Sequence, residues 1–408
     1  MPSTPEPTLW QSLRELPRAA WLLYLGTFIN RFGSFVMPFL TIYAGDHFRA
    51  RGFSIQDATA AAAWTLTSYG LGHFIASLAG GYLTDRIGRR KTIALSMFSS
   101  AISMLLLSQA ESLVAMMALT ALTGMTTELY RPASTALLAD VVTPEQRITA
   151  FAALRWALNA GFAFGPATAG FLAGYSFKWL FIGDAITSAM FGLVAWFLLP
   201  HGLRADGKSA QWSVAWRVMR GDRHFHKMLL AQFAIALIFL QMSSTFSLHV
   251  TSAGISKATY GLLMSLNGVM IILLELPLTM RTRRLPQRAT IAAGYLLIGF
   301  GFMLNVWAWN LPALALVVII FTIGEMIAMP LASALIVDGV LPEMRGRYMG
   351  MYGLVWALAL TVGPATGVRL HAGSPVLLWG ACAVLGVIAA ATVLWTREDS
   401  TTTTDKQV

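Results

Sequence analysis

Apolar stretches of about twenty residues or more follow one another along this chain, parted by short polar segments. Within them hydrophobic and polar positions do not alternate, as they would along barrel strands. A helix needs about 20 apolar residues to cross the hydrocarbon of a bilayer, and it satisfies its own backbone hydrogen bonds there. The pattern predicts an all-α membrane protein. Twelve spans are expected, at about 18–44, 58–83, 92–110, 112–139, 148–174, 177–200, 225–250, 257–281, 289–309, 311–337, 348–371 and 375–395. The segment before the first span is polar and Pro-rich, and that span is full length, so no cleaved signal peptide is expected.

An internal echo divides the series. Residues 132–147 read PASTALLADVVTPEQR and residues 330–345 read PLASALIVDGVLPEMR, with eight of sixteen positions identical at an offset of 198. The same offset carries GPAT at 165–168 onto GPAT at 363–366. A period of half the chain implies two copies of one unit in the same orientation. In a membrane chain, that is the pattern of a transporter with its site between two parallel halves. The expected organisation is a six-helix bundle over 1–200, a cytoplasmic linker over 201–224, a second six-helix bundle over 225–396 and a disordered tail over 397–408.

Composition sharpens this reading. Hydrophobic residues make up 56% of the chain and charged residues 12%, against roughly 25% charged in a soluble domain. The net charge of +10 follows from orientation. With the N-terminus inside, twenty-one Lys and Arg fall in cytoplasmic segments and five near outer ends, so both termini are expected in the cytoplasm. The basic residues are dispersed over loops, which argues against nucleic acid as a partner. The single cysteine, Cys382, excludes an intramolecular disulfide. The loops are too short for a catalytic domain. Seven scattered histidines lack metal-ligand spacing, so neither a metal nor a cofactor is expected, and the chain does not read as an enzyme.

Two motifs stand out. After the second span the chain reads Gly81-Tyr82-Leu83-Thr84-Asp85-Arg86-Ile87-Gly88-Arg89-Arg90-Lys91. Gly81 is expected to allow close helix approach and Gly88 a tight reversal. Asp85 can meet a helix N-terminus or an arginine. The fifth span holds Gly161-Phe162-Ala163-Phe164-Gly165-Pro166-Ala167-Thr168-Ala169-Gly170, where proline bends the helix and Gly161, Gly165 and Gly170 offer a smooth packing face.

Here the chain resembles the major facilitator superfamily. The first string is similar to its signature loop G-x-L-x-D-R-x-G-R-[RK]-[RK], and the likeness covers essentially the whole chain. It implies that two bundles related by a pseudo-twofold axis rock about a central site, with Asp85 latching the halves and Arg89 supporting the latch. The fifth-span string resembles the G-x-x-x-G-P-x-x-G-G element of the antiporter branch, departing at Ala169. The resemblance also implies that spans 1, 4, 7 and 10 line the cavity.

A charge at mid-bilayer costs at least ~2.5–3.5 kcal/mol on insertion scales, so it usually faces a cavity or a partner. Arg31 and Asn30 lie mid-span 1, Glu128 and Arg131 share a face of span 4 at i, i+3, and Glu325 lies mid-span 10. With Asn159, Gln241 and Asn267 they form the expected cavity set. Arg31, Glu128 and Glu325 are expected to converge from both halves. Gly324-Glu325-Met326-Ile327-Ala328-Met329-Pro330 is similar to a G-E-x-x-x-x-P element of some multidrug exporters of this fold, whose acid is thought to carry the coupling proton. Glu325, with Glu128, is the expected proton carrier. Arg155 reads as a helix-end anchor, Asp184 and Glu275 as interface groups, and His73 as a satisfied polar residue. Asp140, Glu145 and Arg147, echoed by Asp338, Glu343 and Arg345, are expected to form intracellular salt bridges.

The expected function is proton-coupled export of an amphipathic or cationic small molecule. Proton-coupled import of peptide-like zwitterions remains open, as does dedicated export of one metabolite such as a metallophore. The partners expected are a small molecule, protons and the lipid of a bacterial inner membrane, with the protein a monomer.

Overall fold

The computed structural model describes residues 13–143, 146–202, 212–282, 285–336 and 342–395; at 85, 148, 212–216, 276, 280 and 342–346 it describes the backbone alone. Helices account for the regular structure. They are α1 (Arg18–Phe32), α2 (Val36–Arg49), α3 (Ile55–Ile87), α4 (Arg89–Leu107), α5 (Leu113–Glu128), α6 (Tyr130–Val141), α7 (Arg147–Tyr175) and α8 (Lys178–Leu198). There follow α9 (Trp212–Gly221), α10 (Arg223–Leu240), α11 (Thr245–Ser252), α12 (Lys257–Thr282), α13 (Gln287–Met303), α14 (Leu311–Ile336), α15 (Pro342–Gly373) and α16 (Pro375–Leu394). Among the described residues there is no strand.

Three expected spans are broken, each for a local reason. The first parts at Gly33–Phe35, where Pro38 has no N–H to continue the helix back to Ser34. The fourth turns at Leu129, because Pro132 cannot donate to the Glu128 carbonyl. The seventh opens between Gln241 and Ser244. There the Ser244 hydroxyl donates to the Leu240 carbonyl (2.9 Å) and the Thr245 hydroxyl to Gln241 Oε1 (2.7 Å), so side chains compete with the ladder.

Among the described residues, nine helical segments are long and apolar enough to cross a membrane. The three expected spans outside that number are α1–α2, which is broken, and α3 and α7. The last two are long but diluted by Ala, Gly, Ser, Thr and Asn. Their small residues serve packing. α3 lies on α15 and α7 on α12. A Cβ at Gly70 would stand 2.5 Å from the Leu360 backbone, and one at Gly268 2.5 Å from Ala163 Cα. Leu71, Ile102, Leu105, Phe197, Leu273 and Val384 face outward, an apolar surface suited to lipid and not to water.

The repeat has a structural counterpart. Thr168 donates to the Phe164 carbonyl (3.1 Å) and Thr366 to the Val362 carbonyl (2.9 Å), one local bond made twice in the GPAT segments. The apolar core is uneven between the two ends. At the end holding Phe48, Leu107 and Phe181, residues of both halves share one cluster. At the opposite end, which carries the α3–α4 turn, Leu23, Ile93, Leu137 and Ala150 of the N-terminal half form a cluster of their own. These are called below the far end and the basic end.

Candidate functional site

The basic end shows how the signature residues are used. Gly88 joins α3 to α4 at φ +92°, a conformation that favours glycine. Arg89 Nε lies 2.8 Å from Asp140 Oδ2, tying α4 to the end of α6. Arg90 donates to the Leu199 carbonyl (3.5 Å), and Arg86 to the Tyr82 hydroxyl (3.0 Å). The expectation for Gly81 is corrected: a Cβ there would meet nothing within 4 Å, whereas one at Gly80 would stand 3.0 Å from Pro132. The rotation of α3 turns Gly80, not its neighbour, toward α6. Glu145 and Asp338 lie outside the described residues, as do the side chains of Asp85, Glu343 and Arg345; Arg147 opens α7.

The fifth-span glycines act in packing. A Cβ at Gly161 would stand 2.8 Å from Arg31 Cβ, and one at Gly165 2.7 Å from the Phe32 carbonyl, so both seat α7 on α1. Gly170 lies against the Lys257 carbonyl of α12, and Gly261 of α12 against Pro166.

The cavity set divides into two clusters. In the first, Glu128 is 7% exposed and meets Arg131 Nε at 2.5 Å, with His73 Nδ1 at 3.9 Å. Arg31 from α1 and Tyr69 from α3 lie within electrostatic reach of the same group. The second cluster lies between the halves. Asn267 of α12 donates to Glu325 Oε2 (2.8 Å) and to the Thr322 hydroxyl (3.0 Å). Glu325 faces a polar cleft of about 30 Å³ lined also by Arg155, Asn159, Ile271, Glu275 and Met329. Across that cleft Arg155 of α7 pairs with Glu275 of α12.

Arg31 therefore lies toward Glu128, while Glu325 has Asn267, Glu275 and Arg155 as its neighbours. Asn30 and Gln241 turn into helix contacts. Asn30 donates to Ser188 Oγ (3.3 Å), and Gln241 to the Leu237 (2.8 Å) and Gly363 (3.4 Å) carbonyls. Sequence reasoning assigned Arg155, Glu275 and His73 separate minor places. Their pairing depends on side chains 120 and 55 positions apart, for which no local spacing rule exists.

At the far end the halves are joined by polar contacts. Lys257 Nζ meets Asp46 Oδ2 at 2.7 Å and lies 4.3 Å from the Phe177 ring centroid. The Tyr260 hydroxyl donates to the Pro38 carbonyl (3.1 Å). Among the described residues, α6 and α14 show no comparable packing at the basic end. Among the described residues, the halves are thus joined at the far end.

The sequence model of the Major Facilitator Superfamily matches residues 23–256 and 244–407. The chain is 29% identical over 405 residues to an uncharacterised transporter of that type, YttB of Bacillus subtilis, covering 96% of this chain and 99% of that protein. It is 28% identical to the multidrug resistance protein MdtH of Cronobacter sakazakii, covering 81% of each. It is 25% identical to a Na(+), Li(+), K(+)/H(+) antiporter of Planococcus maritimus, covering 83% of this chain and 85% of that one. Among solved structures, a POT family transporter in complex with a thioalcohol-conjugated peptide superposes with a TM-score of 0.74 at 16% identity, covering 94% and 98% of the two chains. That likeness speaks to the fold.

Proposed function

We propose that this chain, which belongs to the Major Facilitator Superfamily and so is a multi-pass membrane transporter and not an enzyme, exports an amphipathic or cationic small molecule in exchange for protons. In this reading residues 1–200 and 225–396 are two six-helix bundles joined by the 201–224 connection. Twelve spans cross a bacterial plasma membrane with both termini in the cytoplasm, and the basic end faces inward. The bundles rock so that the site opens to one face at a time.

One observation carries the proposal. Glu325 projects from mid-helix into the cleft between the halves, and among the described residues its one donor is the neutral amide of Asn267. Among the described residues no Lys, Arg or His stands within ion-pair distance of it. The cleft holds two carboxyls, Glu325 and Glu275, and one cation, Arg155. With both acids ionised it carries one uncompensated negative charge. A cation entering from the basic end balances that charge. A proton arriving on Glu325 when the far end opens removes the balance and displaces the substrate. The relatives named for multidrug resistance and for cation/proton antiport support this direction. Import of zwitterions draws less support. Of its candidate grip, Glu128 with Arg131 and Asn30 with Arg31, the first pair is already self-neutralised at 2.5 Å and Asn30 is bonded to Ser188.

The test is reconstitution in oriented vesicles with a fluorescent lipophilic cation and an internal pH dye. Glu325→Gln is expected to abolish efflux driven by a pH gradient while leaving thermal stability unchanged. Full gradient-driven efflux by that variant refutes the role of Glu325. Dipeptide counterflow in place of cation efflux would favour the importer.

A further inference from the structure

The acid left unused by that scheme is Asp184. It sits in α8, only 2% exposed, and makes no ion pair among the described residues. What it faces is the break in the first span. Gly183, Asp184, Thr187 and Ser188 fall on one face of α8; the first three meet that break or the residue after it, and Ser188 meets Asn30 before it. A Cβ at Gly33 would collide with the Thr187 side chain, and one at Gly183 would stand 2.7 Å from the Phe35 ring. Asn30 donates to Ser188, and the Val36 N–H is directed at Asp184 Oδ2 (3.5 Å). Phe35 and Ser188 also border this carboxylate. The charged or titratable groups facing it are Arg31 from α1 and Tyr69 from α3; α2, α4 and α7 direct none at it among the described residues.

The position matters because of what α2 does. Val36 is its first residue, so Asp184 lies where an anion is held by free N–H groups and the helix dipole. Farther along, α2 supplies the contacts that close the far end: the Pro38 carbonyl to Tyr260, Phe39 against the Tyr260 ring at 5.2 Å, and Asp46 to Lys257. One buried carboxyl thus sets the start of the helix whose other end bridges the two halves. An ionised carboxyl accepts hydrogen bonds only, while a protonated one also donates and carries no charge for the dipole to hold.

We propose that Asp184 is a proton-binding site, separate from Glu325, that controls the far-end closure through α2. Ionised, it caps α2 and keeps the far end shut. When hydronium protonates it, the new O–H ends the charge-assisted capping, α2 swings from α11 and α12, and the far end opens. Handing the proton back to water restores the closed form, with no other bond changed. That proton returns to the face it came from. Asp184 therefore senses acidity at the far end and carries no coupling proton, so the proposal stands whether or not Glu325 couples transport.

The experiment uses the full chain in lipid nanodiscs, without any substrate. Cys382 is replaced by Ala, and spin labels are placed through Ala50→Cys and Ser252→Cys. Their separation is measured across pH, with infrared difference spectra of isotope-labelled aspartate taken on the same samples. The expected result is that the labels move apart on acidification in step with an aspartic acid carbonyl band. Asp184→Asn should lose the band and hold the open separation at every pH. Asp184→Glu should restore the response, and Glu325→Gln should leave it intact. An Asp184→Asn protein that still opens with acid overturns the proposal. Should that variant fail to fold, the parent protein decides: far-end opening with no aspartate protonating in the same range overturns it equally.

Discussion

Replacing Arg131 by methionine tests how the first charged cluster is built. Glu128 is 7% exposed, with Arg131 Nε at 2.5 Å and His73 Nδ1 at 3.9 Å. Removing one member of a fully buried pair costs ~3–5 kcal/mol, because the other charge stays buried and unpaired. Arg131 is itself 46% exposed, so water reaches part of the site. The expected loss is about 2–3 kcal/mol, between the surface and buried limits. That corresponds to roughly a 30- to 140-fold rise in the unfolded-to-folded ratio at 1.4 kcal/mol per decade. The double variant Glu128→Gln with Arg131→Met removes both charges and should recover to within ~1 kcal/mol of the parent. Denaturant titration in detergent, followed by tryptophan fluorescence on all four corners of the cycle, measures this. A single variant costing under ~0.5 kcal/mol, or a double as unstable as the single, would show that Arg131 does not hold this carboxylate.

Three further outcomes are expected. Gly268→Val drives a branched side chain into the Ala163 backbone across the α7–α12 contact, and overpacking should lower stability by ~1–3 kcal/mol or more in the same titration; an unchanged midpoint would refute so close an approach. Asp46→Asn breaks a half-exposed pair, so stability should move by no more than ~1 kcal/mol while far-end cysteines label faster; equal labelling would remove the Asp46–Lys257 contact from the closure. Exchanging Arg155 and Glu275 should restore the transport lost in Arg155→Ala or Glu275→Ala, since the pair is the polar bridge across the cleft; exchange no better than the single variants would count against it.

Much of the architecture was legible along the chain. Length and apolarity marked the helical segments, because lipid leaves an unpaired backbone no other partner. Pro132, Pro166, Pro330 and Pro364 recur at the 198 offset, and the structure places all four within helices, where the missing N–H has local effects readable from neighbours. The breaks were harder to read. Pro38 stands three residues into α2 and weakens the turn before it, but nothing in its immediate sequence says whether that turn only bends or opens at Gly33–Phe35. That choice is made by α8, whose Thr187 and Gly183 receive Gly33 and Phe35.

The polar residues follow the same division. Glu128 with Arg131 was readable, since i, i+3 on a helix is a geometric statement that needs no partner element. Asn30 and Arg31 are adjacent in the sequence, yet one is bonded to Ser188 on α8 and the other lies toward Glu128. Adjacent residues on a helix point about 100° apart, and which of them meets a cavity depends on how the helix is rotated against its neighbours. By itself the sequence determined a duplicated, all-helical membrane chain and which residue types would be rare at depth, because hydropathy and backbone hydrogen bonding act segment by segment. Only the tertiary structure decided that Glu325 keeps company with Asn267, Glu275 and Arg155 and not with Arg31, because rotation and depth are set by glycine-sized contacts between helices more than a hundred residues apart.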